Sequence, residues 1–290
     1  MTAALLIRLA VTVSVALIAF GVGLASGPRD IGMLLRQPAL LARSLLAMNV
    51  IMPLIAIATA LVFALDRPVL VALVALAVSP IPPLLPRKEL KAGGTTAYAV
   101  GLFAIAGLLS IVFVPLWVHL IGAIFDRPLR IAPAAVARAV FLSVLAPVIA
   151  GVLARRYLPG FATRIARPVA IVAMVLLVIG AIPIVVRVWP AFVALAGNYT
   201  LLAFVLFPLL GLGVGHLLGG PQRGDRTVLA LSSAARHPGV AIAIVHANAP
   251  NDRLATAAIL LCLVVSAVVC FPYVHWRRRT HAAHSSSKAR

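Results

Sequence analysis

A basic pair of residues, Arg236-His237, stands inside an apolar run near the C-terminal end of the sequence and is followed directly by Pro238-Gly239. Proline lacks a backbone donor and glycine is a weak helix former, so a helix is interrupted at this point. A guanidinium beside the unpaired N–H groups of a new helix start favours the binding of a carboxylate or a similar anion. The residues therefore indicate an anion site built on a helix break.

The composition of the chain places this break in a membrane. Apolar residues make up 63% of the 290 residues and charged residues only 11%, which leaves too little polar surface for a soluble domain of this size. In lipid the backbone must satisfy its own hydrogen bonds, so the apolar runs are predicted to be helices. A transmembrane β-barrel is excluded, because stretches such as residues 169–184 are continuously apolar and do not alternate.

About nine transmembrane helices are predicted, which makes the chain an all-α polytopic membrane protein. Each apolar run is long enough to cross a hydrocarbon core about 30 Å thick. The predicted spans are residues 4–26, 39–65, 68–92, 95–125, 131–154, 168–188, 198–220, 226–249 and 254–276.

Basic residues alternate between rich and poor connections. The rich set is Arg29 and Arg36; Arg87, Lys88 and Lys91; Arg155, Arg156, Arg164 and Arg167; Arg223 and Arg226; and the tail 277–290. The poor set is Arg67; Arg127 and Arg130; Arg187; and Arg253. The positive-inside rule then predicts a multi-pass protein of the cytoplasmic (inner or plasma) membrane, with the N-terminus outside and the C-terminus in the cytoplasm.

The third span carries a second interruption. Four prolines fall within residues 79–86, namely Pro80, Pro82, Pro83 and Pro86. We call residues 79–86 the first break and residues 235–239, which include Pro238 and Gly239, the second break. Irregular backbone at membrane depth is tolerated only where it is buried in protein or lines a cavity. The third and eighth spans run in opposite directions, so the pattern predicts an inverted repeat with two crossed broken helices, a pointer to a transporter binding site.

Arg236 has two alternative roles. A guanidinium in hydrocarbon costs about 2.5–3.5 kcal/mol on insertion scales, so it should face a cavity or a partner. It either binds the substrate or replaces a coupling ion, or it only satisfies carbonyls freed at the breaks. His237 either couples transport to protons or merely lines the cavity. Further candidates for the substrate site are Asn49, Ser232, Ser233, Pro82 and Pro83.

Other classes of function find little support. The six acidic residues fall in connections or at span ends, and we find no acid pair, no metal-ligand spacing and no Ser/His/Asp set, so no enzyme is predicted. The excess of 25 basic over 6 acidic residues fits anionic lipid headgroups and not nucleic acid, because no folded basic domain presents it. The expected partners are the lipid bilayer and a small organic solute; no particular oligomeric state is predicted.

Several short motifs resemble the bile acid:sodium symporter family in order and spacing. They are Phe20-Gly21-Val22-Gly23-Leu24, Arg36-Gln37-Pro38, Ile51-Met52-Pro53-Leu54, Ser79-Pro80 and Ala234-Ala235-Arg236-His237-Pro238-Gly239. The resemblance implies two inverted five-helix repeats, here without the first helix. It also implies a panel domain (1–37 and 131–190) that rocks against a core domain (39–125 and 198–276), followed by a cytoplasmic basic tail (277–290).

The residues that bind sodium in this family are replaced here. The matching positions hold Met48, Leu85, Pro86, Ala99, Phe103, Ser232 and Arg236. Sodium needs several oxygen ligands, and apolar side chains cannot supply them. The substitutions therefore argue against sodium coupling and leave proton coupling through His237 as an alternative. No other cofactor is expected.

The sequence thus predicts a secondary active transporter that moves a small organic anion by alternating access. Two alternatives remain open: a sodium-independent exchanger or uniporter, and a membrane sensor or scaffold that has kept the fold and lost transport.

Overall fold

The computed structural model describes residues 3–126 and 129–288, and every regular element in these two stretches is a helix. The α-helices are α1 (Ala3–Leu24), α2 (Pro28–Met33), α3 (Pro38–Leu45), α4 (Met52–Val62), α5 (Arg67–Val78), α6 (Leu85–Lys91), α7 (Thr96–Ile124), α8 (Pro133–Val140), α9 (Ala146–Tyr157), α10 (Pro159–Leu195), α11 (Thr200–Leu218), α12 (Arg223–Ala234), α13 (Pro238–Asn248) and α14 (Arg253–Lys288). Arg127 of the basic-poor set, residues 1–2 of the predicted panel and residues 289–290 of the tail lie outside the described residues.

The predicted all-α polytopic membrane fold is confirmed. Eight helical stretches are long and apolar enough to cross a membrane: Leu5–Leu24, Pro38–Val62, Thr96–Ile124, Pro133–Tyr157, Pro159–Leu195, Thr200–Leu218, Arg223–Asn248 and Arg253–His281. The third predicted span does not appear among them because its two halves, α5 and α6, are each too short. That these halves together form a ninth crossing stays a prediction.

Two helices are longer than predicted. Helix α10 begins at Pro159 and continues to Leu195, through three internal prolines. Helix α14 continues to Lys288, so most of the predicted basic tail is helical. No glycine or proline occurs between Arg277 and Lys288 to end that helix, whereas its alanine and arginine residues favour continuation.

Both predicted breaks are present. Residues 79–84 separate α5 from α6, and residues 235–237 separate α12 from α13. Pro86, Pro238 and Gly239, which we assigned to the breaks, lie instead in the first turns of the half-helices that follow. The first turn of a helix has no intrahelical acceptors for its N–H groups, so a proline there costs no hydrogen bond.

The two broken helices meet at their breaks. The backbone N–H of His237 donates to the carbonyl of Pro80 over 2.8 Å. On either side of this bond, α5 packs against α13 and α6 packs against α12. The N-terminal half of one broken helix therefore lies along the C-terminal half of the other, as two antiparallel broken helices require.

The basic-rich connections meet at one end of the bundle, which we call the basic end. Arg277 donates to the carbonyl of Arg223 (2.6 Å), and Arg278 donates to that of Lys91 (3.2 Å). These bonds tie the last helix to the connections that follow the third and seventh spans.

The basic-poor connections meet at the opposite end. The amide of Asn198 donates to the carboxylate of Asp66 (3.0 Å), and the backbone N–H of Arg130 donates to the amide oxygen of Asn248 (2.7 Å). These contacts join connections that the alternation of basic residues assigns to the same side. Which end faces the cytoplasm stays a prediction of the positive-inside rule.

Helix α1 packs mainly against α9 and α10, and α5 packs against α13 and α14. The division into a panel domain (1–37 and 131–190) and a core domain (39–125 and 198–276) stays a prediction.

Glycines hold α12, and with it the second break, close to α11. Gly211, Gly215 and Gly219 recur every fourth residue along one face of α11 and its end. A Cβ added at Gly211 or Gly215 would meet the backbone of α12 at Ser233–Ala234 or Leu229–Ala230. The two backbones approach closely because these positions carry no side chain, a common packing mode of membrane helices.

We predict that Gly215→Ala destabilises the protein and that Gly213→Ala, on the same helix, does not. A Cβ at Gly215 collides with the Leu229 carbonyl, whereas nothing lies within 4 Å of one at Gly213. Forcing extra atoms into a packed interface costs about 1–3 kcal/mol. Melting temperatures in detergent should fall only for the first variant. Equal melting temperatures for both variants would contradict the close α11–α12 contact.

Candidate functional site

The first break leaves backbone carbonyls without a partner in their own helix. In a continuous helix, the N–H of residue 83 would donate to the carbonyl of Ser79, but Pro83 has no N–H. The next carbonyl, that of Pro80, accepts the N–H of His237. Ser79 and Pro80 are both buried, so these acceptors need partners from elsewhere in the protein.

His237 caps the helix that follows the second break. Its Nδ1 accepts the backbone N–H of Gly239 (3.1 Å), which satisfies one orphan donor at the start of α13. An Nδ1 that accepts a hydrogen bond carries no proton. The other ring nitrogen, Nε2, is buried and has no hydrogen-bond partner.

The second span supplies a further pair of free carbonyls. Residues Leu46–Ile51 form a π-helical segment between α3 and α4, in which the N–H of Met52 donates to the carbonyl of Ala47 and not to that of Met48. Pro53 comes next and has no N–H. The carbonyl of Asn49 accepts the Trp117 indole N–H (2.6 Å), and the carbonyl of Met48 remains for another donor.

Arg236 is that donor. Its Nη2 donates to the carbonyl of Met48 (3.0 Å) and its Nη1 donates to that of Ser79 (3.4 Å). The side chain is only 4% exposed, and its Nε has no hydrogen-bond partner in the described stretches of the chain. Among residues 3–126 and 129–288, no acidic side chain pairs with it. One guanidinium thus joins both breaks to the second span while its charge stays unbalanced.

Ser232, one turn before Arg236, has a partner that sequence reasoning missed. Its hydroxyl donates to Glu89 Oε1 over 2.6 Å, and Glu89 is 1% exposed. We expected Glu89 among the interfacial charges at a span end; it lies near that end, in α6, but its side chain points into the protein. A usable signal was present, because Glu89 follows the apolar Leu85 by four residues and shares its helix face.

The structure brings only some of the predicted site residues together. Arg236 and His237 lie at the crossing, beside Pro80. Asn49 contributes its carbonyl and not its amide, and the hydroxyl of Ser233 is buried without a partner. Pro82 is half-buried and Pro83 is buried in the first break.

The positions that the resemblance assigns to the family's sodium sites are all buried here, but their side chains offer few oxygen atoms. Ser232 has one hydroxyl, which is engaged by Glu89, and Arg236 brings a positive charge. The remaining side chains at these positions supply no oxygen: Met48, Leu85, Pro86, Ala99 and Phe103. In the described part of the chain, no group of three or more His, Cys, Asp or Glu side chains could hold a metal ion. The side chains at these positions do not supply the several oxygen ligands that a sodium ion needs.

Two cavities flank the crossing without reaching the guanidinium. One, of about 340 Å³, opens near the basic end between the start of α3 and the α11–α12 turn, with Asp225 in its wall. The other, of about 320 Å³, lies between α5, α7 and α13; Arg67 and Asn248 line it near the opposite end, and Val78 lines it beside the first break. Neither is lined by Arg236, so the guanidinium is closed off in this conformation.

We predict that His237→Ala lowers thermal stability and that His237→Asn preserves it. Asparagine can accept the Gly239 N–H, whereas alanine leaves that donor unpaired. Loss of such a cap typically costs about 1 kcal/mol. Melting curves of the two variants in one detergent provide the measurement. If the asparagine variant melts as early as the alanine variant, the capping role is wrong.

Comparison with known proteins agrees with the architecture. The model of the sodium bile acid symporter family matches residues 12–194, more than half of the chain. The match includes the first break and ends before Arg236. No curated protein matches the chain. The family match covers more than half of a chain whose helices are long and apolar enough to span a membrane. This chain therefore belongs to the sodium bile acid symporter family.

Proposed function

We propose that this member of a transporter family is a sodium-independent secondary carrier of a small organic anion, working by alternating access in the cytoplasmic membrane. One observation carries the proposal: the Arg236 guanidinium donates to the carbonyls of Met48 and Ser79, at the crossing of the two broken helices. The guanidinium, a cation fixed to the protein, thus occupies carbonyl oxygens of the kind that a mobile cation would otherwise bind.

The charge of Arg236 supports an anionic substrate. Two backbone carbonyls satisfy part of the guanidinium, but they carry no formal charge, and Nε remains without a partner. Burying an uncompensated charge is unfavourable, so a bound carboxylate or similar group would be stabilised here. The positive end of α13, which starts at Pro238, adds to the same potential.

The same charge supports sodium independence. A sodium ion at this place would need the Met48 and Ser79 carbonyls and would be repelled by a guanidinium within a few ångströms. The side chains at the family's sodium positions cannot replace those oxygens. We therefore propose that the fixed charge performs the electrostatic role of the sodium ion, in a carrier that acts as a symporter of another ion, an exchanger or a uniporter.

Alternating access would follow from movement around a fixed crossing. The bond between His237 and Pro80 and the bonds of Arg236 hold the two breaks and the second span together. We propose that these elements move as one body, the core domain (39–125 and 198–276), against the panel (1–37 and 131–190). Opening along either of the two cavities would then expose the guanidinium to one end at a time.

A second candidate function rests on the closure of the site. The guanidinium bonds only to backbone carbonyls and is 4% exposed, which also suits a purely structural latch in a membrane sensor or scaffold. The two functions differ in whether purified protein moves any solute.

Uptake into proteoliposomes tests the proposal, with a panel of radiolabelled mono- and dicarboxylates and a bile acid as probes. We expect uptake of at least one anion, unchanged when choline replaces sodium at constant ionic strength. Arg236→Gln should reduce this uptake by roughly 30-fold or more, since losing a buried charge typically costs about 2–5 kcal/mol. Arg236→Lys, which keeps the charge but not the forked geometry, should retain part of it.

Arg253→Gln serves as the matched control, because Arg253 is exposed at the start of α14. Its uptake should equal that of the unmodified protein. Uptake that requires sodium would refute the proposed sodium independence. Uptake that is undiminished in a folded Arg236→Gln variant would refute the proposed role of Arg236. If none of the anions in the panel is taken up, the sensor or scaffold function is favoured.

A further inference from the structure

Glu89 is a buried carboxyl group that the anion site does not use. It lies on α6, the second half of the first broken helix, and is 1% exposed. Oε1 accepts the hydroxyl of Ser232 on α12 over 2.6 Å, whereas Oε2 is buried and has no hydrogen-bond partner among the residues that the structure describes. The bond joins the two broken helices on the basic-end side of their crossing.

No fixed positive charge neutralises this carboxyl group. The elements packed against α6 are α7, α12 and α14. Their ionisable groups on the basic-end side, up to His281 and with those on α6 itself, are Tyr98, Arg223, Asp225, Arg226, Cys270, Tyr273, His275, Arg277, Arg278, Arg279, His281, Arg87, Lys88 and Lys91. Within the described residues none of these basic groups pairs with Glu89: Arg277 bonds to Thr227 and to the carbonyl of Arg223, and Arg278 bonds to the carbonyl of Lys91.

We propose that Glu89 is a proton-binding site, and that its proton is the coupling ion of this carrier. The coupling role rests on the sodium-independent transport proposed above. A buried carboxylate without a counter-charge is unfavourable, and it becomes neutral most simply by taking a proton from water. A metal ion would need several oxygen ligands, whereas the site offers one carboxyl group and one hydroxyl.

The geometry links the proton to the contact between the two broken helices. A neutral carboxyl group both donates and accepts hydrogen bonds, so it can remain bonded to Ser232 in a dry interface. The ionised form only accepts hydrogen bonds and is stabilised by water. Proton binding therefore favours the closed α6–α12 contact, and proton release favours an arrangement that admits water to it. The proton is taken from the aqueous phase on one side of the membrane and released to the other.

The position of Glu89 differs from that of His237, which the sequence also offers as a candidate for proton coupling. His237 Nδ1 is occupied by the Gly239 N–H, and no carboxyl group in the described part of the chain bonds to the ring. Glu89 has a free oxygen and a hydroxyl partner on a different broken helix. The Glu89 carboxyl group is thus better placed than His237 to bind a proton and to couple its binding to the contact between α6 and α12.

Infrared spectroscopy of the purified protein tests the site without any substrate. The unmodified protein should show the carbonyl stretch of a protonated carboxyl group at neutral pH, and the band should disappear as the pH is raised. Glu89→Gln should lose this band and remain folded, since glutamine resembles the neutral acid. Asp225→Asn, which removes the other buried acid, should keep it.

Hydrogen–deuterium exchange tests the link to the contact. Relative to Glu89→Gln at the same pH, amides of α6 and α12 in the unmodified protein should lose protection when the band disappears. Absence of the band, its survival in Glu89→Gln, or its loss when sodium replaces choline at fixed pH would each overturn the proton site. If the band and the exchange behave as expected but no anion is transported, the site stands and the proposed transport function fails.

Discussion

Proline within a membrane-spanning helix leaves a carbonyl without its usual donor, and in lipid no water replaces that donor. Around the crossing of the broken helices such prolines occur in two neighbouring places, at Pro53 in the second span and at Pro82 and Pro83 in the third. The carbonyls that they leave open must be paired from other segments. Much of the site follows from how that requirement is met.

Three groups from distant segments meet the requirement. The His237 N–H, the Trp117 indole and the Arg236 guanidinium each donate to carbonyls near a proline. The first two are neutral and complete the backbone pairing. The third adds a full positive charge at the crossing of the broken helices, at a position that the resemblance assigns to the family's sodium site. In the proposed carrier, fold stability and substrate electrostatics therefore depend on the same side chain.

A second polar contact, between Ser232 and Glu89, distinguishes this chain from one that has only lost sodium ligands. Ser232 occupies a position that the resemblance assigns to the family's sodium site, and its hydroxyl donates to a carboxyl group, that of Glu89 on the other broken helix. The interface between α6 and α12 thus keeps an ionisable group. In the proposed carrier, substrate charge is met by Arg236 at the crossing and ion charge by Glu89, which bonds to Ser232 four residues before Arg236.

Sequence reasoning reached the architecture because hydropathy and proline act locally. Run length predicts the spans, clustered prolines predict the break at residues 79–84, and the burial of Arg236 follows from its place in an apolar run. The partners could not be predicted. Arg236 and Met48 are far apart in the chain, and so are Glu89 and Ser232, so each contact depends on packing of whole helices. The sequence predicts the side chain of Glu89 to be interfacial because its neighbours Arg87, Lys88 and Lys91 are charged. The structure buries it because it lies on the same helix face as the apolar Leu85.

Equilibrium binding of radioactive sodium to the purified protein tests the central claim most directly. If the Arg236 guanidinium takes the place of a mobile cation on the Met48 and Ser79 carbonyls, the protein should show no saturable sodium binding. Saturable binding that unlabelled sodium displaces and choline does not would contradict the account.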